Sequence, residues 1–98
     1  MTATGLSLNI AESARGRLVA RATIQSTSPK QAAFLSLWQD GKAISPEYEV
    51  WLATAATAER RISAPLFLAP GQHQVNLQVR ARDSILVVKA ALAAIIYP

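Results

Sequence analysis

The chain has no cysteine, which excludes disulfides, thiolate metal sites and thiol nucleophiles. It has one histidine, His73, and a catalytic or metal role would need suitable partners around it that the sequence does not offer. The four glycines are dispersed, so no glycine-rich loop is available to cradle a phosphate. Aromatics are scarce: two each of Trp, Tyr and Phe. Charged residues make up only 16 %, with no run of five like charges, so there is no basic or acidic tail. The start, "MTATGLSLNIAESARG", lacks the basic and apolar regions of a secretory signal. The longest apolar run, "AALAAIIY", is far short of the roughly 20 residues that a membrane helix needs, and no membrane partner is expected.

What is present is apolar. Hydrophobic residues make up 51 % of 98 residues, above the usual share for a soluble domain. A chain of this mass buries about 64 % of its unfolded surface by area scaling, enough for one modest core. The excess of apolar over charged residues is a first sign of a subunit. The net charge of +4 is carried by scattered residues, and a mildly basic surface suits either solvent or an acidic partner.

Two-residue periodicity dominates both ends of the chain. "LSLNIAE" alternates Leu6, Leu8 and Ile10 against Ser7 and Asn9, and "RLVARATIQ" places Leu18, Ala20, Ala22 and Ile24 on one face. "HQVNLQVRA" directs Val75, Leu77, Val79 and Ala81 inward and Gln74, Asn76, Gln78 and Arg80 outward. Asp40-Gly41 between apolar runs predicts a type I′ hairpin, and Pro70-Gly71 and Asp83-Ser84 mark turns. Residues 1–5 are expected as a flexible arm and residues 6–98 as one domain. The middle carries a competing pattern: Ser28-Pro29 and Ser45-Pro46-Glu47 are helix starts, and the alanines of 55–58 favour a helix. Strand and helix both stand open for Ser45 to Arg61.

The last segment, "ILVVKAALAAIIYP", does not alternate. Leu86, Val88, Ala90, Leu92, Ala94 and Ile96 fall on one face. Ile85, Val87, Ala91, Ala93, Ile95 and Tyr97 fall on the other, interrupted only by Lys89. A strand with water on one side alternates. Two accounts stand: a central strand covered on both sides by its own chain, or burial against neighbouring copies. A two-layer sandwich of this length has no third layer to spare. The second face is therefore expected as an oligomer interface formed by Ile85, Val87, Ala91, Ala93, Ile95 and Tyr97.

Other residues with a claim to chemistry have plainer readings beside it. Asp40 and Asp83 suit turns. Glu47 and Glu49 share a face if strand, which reads as a solvated face rather than a carboxylate pair. Trp38 and Trp51 near Arg17, Arg21, Arg80 and Arg82 invite a nucleic-acid reading, but the arginine-bearing strands have no aromatics between them, so no nucleic-acid partner is expected.

Three pieces, "GRLVARATIQ", "LSLWQDGKAI" and "LFLAPGQHQVNLQVRARDSILVVKAALAAI", together resemble the compact jelly-roll sandwiches of the complement-globular-head and tumour-necrosis-factor type. Short versions occur in bacteriophage decoration and fibre-knob proteins. The resemblance covers roughly Arg15 to Tyr97. It implies an all-β, jelly-roll-like β-sandwich of about eight antiparallel strands, a homotrimer and no enzymatic activity; from the residues themselves no cofactor or metal is expected. The family's calcium sites and receptor loops have no matching motif here.

The expected role is a structural one: a decoration or cement protein on a bacteriophage capsid surface, bound to the major capsid protein or another virion protein. Arg15, Arg17, Arg60 and Arg61 are the candidate shell contacts. The alternative is a fibre or adhesin knob that binds a host-surface glycan or protein through Trp38, Trp51 or Tyr48.

Overall fold

A computed structural model describes residues 1–26, 31–52 and 57–98. They form eight strands: β1 (Thr2–Ile10), β2 (Ala14–Ser26), β3 (Gln31–Gln39), β4 (Lys42–Ala43), β5 (Tyr48–Leu52), β6 (Thr57–Leu68), β7 (Gly71–Ala81) and β8 (Ile85–Ile96). All pairings are antiparallel, in two sheets. One sheet runs β1-β7-β3, with β4 and β5 sharing the far side of β3; the other runs β6-β2-β8. The chain is thus an all-β sandwich. At about 3.3 Å per residue, the 13-residue β2 spans most of the molecule's 48 Å length, against 21 and 19 Å in the other directions.

Alternation builds the core. Leu18, Ala20, Ala22 and Ile24 of β2 face Leu35 and Leu37 of β3 and Val75, Leu77 and Val79 of β7, all at 2 % exposure or less. Ile62, Ala64, Leu66 and Leu68 line the β6 side, with Val50 and Leu52 of β5 across from them. The Asp40-Gly41 hairpin forms as expected. Both residues have positive φ, 50° and 79°, as the type I′ turn requires, and Gln39 pairs with Lys42.

Two expectations are corrected. Residues 1–5 are not a free arm. Thr2, Thr4 and Gly5 pair with Gln78, Leu77 and Asn76 of β7, and Met1 and Val79 exchange backbone hydrogen bonds of 3.2 and 2.8 Å. The segment has few apolar residues because its outward side is wet, and its backbone bonds carry it. In the middle, the helical alternative gives way to strands β3, β5 and β6. Residues 27–30 and 53–56, which carry part of those helix signals, lie outside the described residues. Val50 and Leu52 bury on one side of β5 while Glu49 and Trp51 are exposed on the other, and that two-residue period outweighs the local helix preference.

β8 holds an irregularity that the sequence pattern hides. Thr23 pairs with Lys89 but Ile24 pairs with Val87, so Val88 is an extra residue in a bulge. The bulge reverses the strand's phase. Ile85 and Val87 point to the core before it, and Ala90, Leu92 and Ala94 after it, all half-buried. Leu86, Val88, Ala91, Ala93 and Ile95 point outward.

Candidate binding faces

The two outer faces of the sandwich differ in chemistry. On the five-stranded sheet, the residues between the core positions are amides, hydroxyls and aromatics. β7 contributes Gln74, Asn76, Gln78 and Arg80; β3 contributes Phe34, Ser36 and Trp38; β5 contributes Trp51. Pairing sets Trp38 across from Asn76, Ser36 from Gln78, Phe34 from Arg80 and Trp51 from Ala32.

Local bonds hold this face in order. The Trp38 Nε1–H donates to Ser36 Oγ at 2.9 Å. Gln78 Nε2 donates to Asn76 Oδ1 at 2.7 Å and to Thr2 Oγ1 at 2.9 Å, and Gln74 Nε2 donates to Ser7 Oγ at 2.7 Å. The Arg80 guanidinium lies 4.3 Å from the Phe34 ring centre, a cation–π contact. Its Nε and Nη2 donate to the two carboxylate oxygens of Glu47 at 2.9 and 3.0 Å. That two-point bond holds the Glu47 carboxyl below its ordinary pKa and Arg80 above its own.

Beside this clamp, Trp51 is 67 % exposed, with only the small Ala32 opposite. A depression of about 600 Å³ is lined by Trp51, Phe34, Arg80, Gln31, Arg82 and Asp83. An open indole face accepts an apolar ring face, and the polar groups around it supply donors and acceptors. Arg80 keeps N–H donors beyond the two that Glu47 takes.

The outer face of the three-stranded sheet is basic and apolar. Arg15, Arg17 and Arg21 lie along β2, Arg61 on β6 and Lys89 on β8. Arg17 Nη1 donates to Ser63 Oγ at 2.8 Å, Arg15 lies 5.8 Å from the Phe67 ring centre, and Arg21 meets Glu59 at 3.5 Å. Arg21 and Arg61 are direct cross-strand partners, an unfavourable juxtaposition of like charges.

The expected site residues are only partly gathered. Of the candidate shell contacts, Arg15, Arg17 and Arg61 share one outer face. Arg60 does not: it is opposite Ala22, in the inward phase of β6, and its side chain turns back to the Glu59 carbonyl at 2.8 Å. Of the expected interface, Ala91, Ala93, Ile95 and Tyr97 are exposed, whereas Ile85 and Val87 are half-buried against the core because of the bulge. Leu86 and Val88, at 53 and 54 % exposure, take their place outside. Among the aromatic platforms, Trp38 and Trp51 share the polar face, while Tyr48 has the inward phase of Val50 and Leu52. Arg80 is near Trp51; Arg17 and Arg21 are on the opposite sheet.

The His73 contacts, like the Glu47–Arg80 clamp, have no signal in the sequence pattern. His73 Nδ1 is 2.6 Å from Asp40 Oδ2, and its Nε2 is 2.7 Å from the Ala69 carbonyl oxygen. Both neighbours accept, so both contacts are satisfied together only in the imidazolium form, in which each ring nitrogen donates. The Asp40 bond raises the His73 pKa first, then the Ala69 carbonyl. Asp40 is lowered by His73 and by the Gln74 N–H, which donates to its Oδ1 at 2.9 Å. The ring joins the hairpin to the β6–β7 turn and offers no free basic nitrogen. The 33-residue separation of the pair left no local signal.

No family model matches the chain, and no curated protein matches it significantly. Among solved structures, its fold is similar to the EclA C-terminal domain, described as a sugar-binding protein, with a TM-score of 0.53 and 18 % identity over 94 % of this chain. The chain spans 66 % of the length of that one.

Proposed function

We propose that this chain is a glycan-binding module and that the outer face of the five-stranded sheet, around Trp51 and Arg80, is its site. The observation that carries the reading is the exposed Trp51 indole, which shares one depression with the Phe34–Arg80 stack. A sugar ring presents C–H bonds on one face and hydroxyls at its rim. The indole takes the first by stacking. The Arg80 guanidinium, already fixed by Glu47, offers its remaining N–H donors to the second at little further ordering cost. Glu47, Glu49 and Asp83 against Arg80 and Arg82 leave a net charge of only one there, which suits a neutral sugar. The similarity to a domain described as sugar-binding supports this choice among folds that host many functions.

The test is a glycan array with the full chain, followed by calorimetric titration of the best binder. Trp51→Ala should weaken binding about thirtyfold or more, as loss of an aromatic anchor does. Phe67→Ala, an exposed aromatic on the other sheet, should leave it unchanged. An array without signal, or binding indifferent to Trp51→Ala, overturns the proposal.

A second reading is favoured by the basic face of the three-stranded sheet. Arg15, Arg17, Arg21, Arg61 and Lys89 there oppose a single Glu59. Such a face suits an acidic protein shell and, with it, the role of a cement protein on a bacteriophage capsid. Occupancy on particles should then fall as salt rises to about 0.5 M, where surface charges are screened. Arg17→Gln with Arg61→Gln should lower it at low salt. Unchanged occupancy in both experiments counts against this reading.

A further inference from the structure

Inward residues are buried along the β5–β6 side of the sandwich and only half-buried along the β1–β8 side, the open side. On the open side, Leu6, Leu8 and Ile10 of β1 and Leu92 and Ala94 of β8 point to the core yet stay half-buried. We propose that β8 pairs antiparallel with β8 of a second copy of this chain, about a two-fold axis through Ala93, to give a dimer with a continuous six-stranded sheet. The proposal is independent of the glycan site, which lies on the other sheet.

The backbone supplies the first argument. The Tyr97 N–H donates to the Arg15 carbonyl at 2.8 Å, and the same register pairs Arg17 with Ile95 and Val19 with Ala93. In an antiparallel ladder, the residues of these pairs direct their N–H and C=O groups to each other. The intervening residues, Ala90, Leu92, Ala94 and Ile96, therefore direct theirs away from β2, to an edge where no described strand pairs. Exposed edges are usually blunted by charge, proline or bulges. The first half of β8 has such devices, the Val88 bulge and Lys89. From Ala90 to Ile96 there is none.

The second argument is self-complementarity. With Ala93 on the axis, Leu92 pairs with Ala94 of the second copy and Ala90 with Ile96, and their two-fold mates repeat this. Every free edge group from Ala90 to Ile96 is then used. A register centred one residue to either side leaves end groups unpaired or meets Pro98, which has no N–H. Side chains fit as well. Each of these pairs sets a small residue against a large one, as does Ala91 with Ile95 on the outer face.

Charge supplies the third argument. Lys89 meets Tyr97 of the second copy rather than its own counterpart. The arginine rows on the two β2 strands are three strand spacings apart, about 14 Å, beyond the screening length of physiological salt. The interface is the same patch on both copies, as a two-fold requires.

The test uses the full chain. Sedimentation equilibrium between about 1 and 200 µM should give a monomer–dimer equilibrium. Ile95→Lys, at a position 50 % exposed in the protomer, should leave the fold intact and weaken the dimer at least tenfold. Under oxidation, Ala93→Cys should form a covalent dimer, because residues facing across the axis are about 4.5 Å apart, within disulfide reach. Ala91→Cys should not, because its opposite is Ile95. A monomer throughout the range, a trimer, or equal cross-linking at both positions overturns the proposal.

Discussion

The two edges of this sandwich are made from similar residues but reach different ends. Along β5 and β6, Val50, Leu52, Ile62, Ala64, Leu66 and Leu68 are all 8 % exposed or less. Along β1 and β8, the corresponding leucines and isoleucines are half-buried, and Leu86, Val88, Ile95, Ile96 and Tyr97 are exposed by 42 to 54 %. Hydrophobic composition is therefore a poor guide to where the core is. Strand order does not separate the edges, since β6 and β8 both end the three-stranded sheet; what separates them is how far the inward side chains are covered.

The largest expected effect tests this contrast directly. Leu66→Ala opens a cavity at a site with no exposure and should cost about 2–5 kcal/mol, read from urea denaturation midpoints. Leu92→Ala removes a half-buried group and should cost about 1 kcal/mol in dilute solution. If β8 pairs with a second copy, the gap narrows as protein concentration rises. Equal costs at low concentration would show that the open edge is as well packed as the closed one.

A smaller effect concerns how β8 is attached. A Cβ on Gly16 would be 2.1 Å from the Ile95 carbonyl oxygen, a backbone atom that cannot swing aside. Gly16→Ala should force the end of β8 from β2 and cost about 1–3 kcal/mol. Hydrogen exchange should then speed up at Ile95 and Tyr97 before it does in β7. Unchanged protection at those amides would mean that β8 is held elsewhere.

Much of this molecule was legible in its residues. The alternation of β2 and β7, the Asp40-Gly41 turn and the all-β class follow from periodicity and turn chemistry. The phase of β8 does not, because a bulge depends on the register with β2, and an unbroken apolar run carries no mark of where it slips. Residues 1–5 carry little apolar signal in their threonines, alanine and glycine, while the bonds that hold them come from β7. For the candidate site, Trp51 was visible as a platform, but the clamp of Glu47 on Arg80 and the stack on Phe34 join residues from three parts of the chain. Arg60 and Arg61 are adjacent in sequence, but neighbours in a strand face opposite ways.

The outer faces offer a finer test of the same contrast. Arg61 stands opposite Arg21 on the basic face, so Arg61→Gln should stabilise the fold by about 0.3 kcal/mol at low ionic strength. The gain should vanish near 0.5 M salt, where such pairs are screened at about 4 Å. On the polar face, Glu47→Gln breaks a favourable pair and should have the opposite sign. A stabilised Glu47→Gln variant would mean that the clamp exists for a ligand rather than for the fold.

The smallest effect is a pH dependence at the hairpin end. The folded pKa of His73 is raised above 6.5, first by its bond to Asp40, so its contribution is complete below about pH 6.5 and is lost as pH rises through the raised value. The folded pKa of Asp40 is lowered below 3.8, first by His73, so its contribution is complete above about pH 4 and is lost as pH falls through the lowered value. The clasp is therefore fully formed between these limits. Above them the ring loses one of its two protons and with it either the Asp40 or the Ala69 bond. Urea midpoints of the parent chain should fall as pH rises from about 6.5 to 9, and His73→Gln should flatten that decline while leaving the acid limb from other carboxylates. A decline that persists in His73→Gln would place its origin outside the clasp.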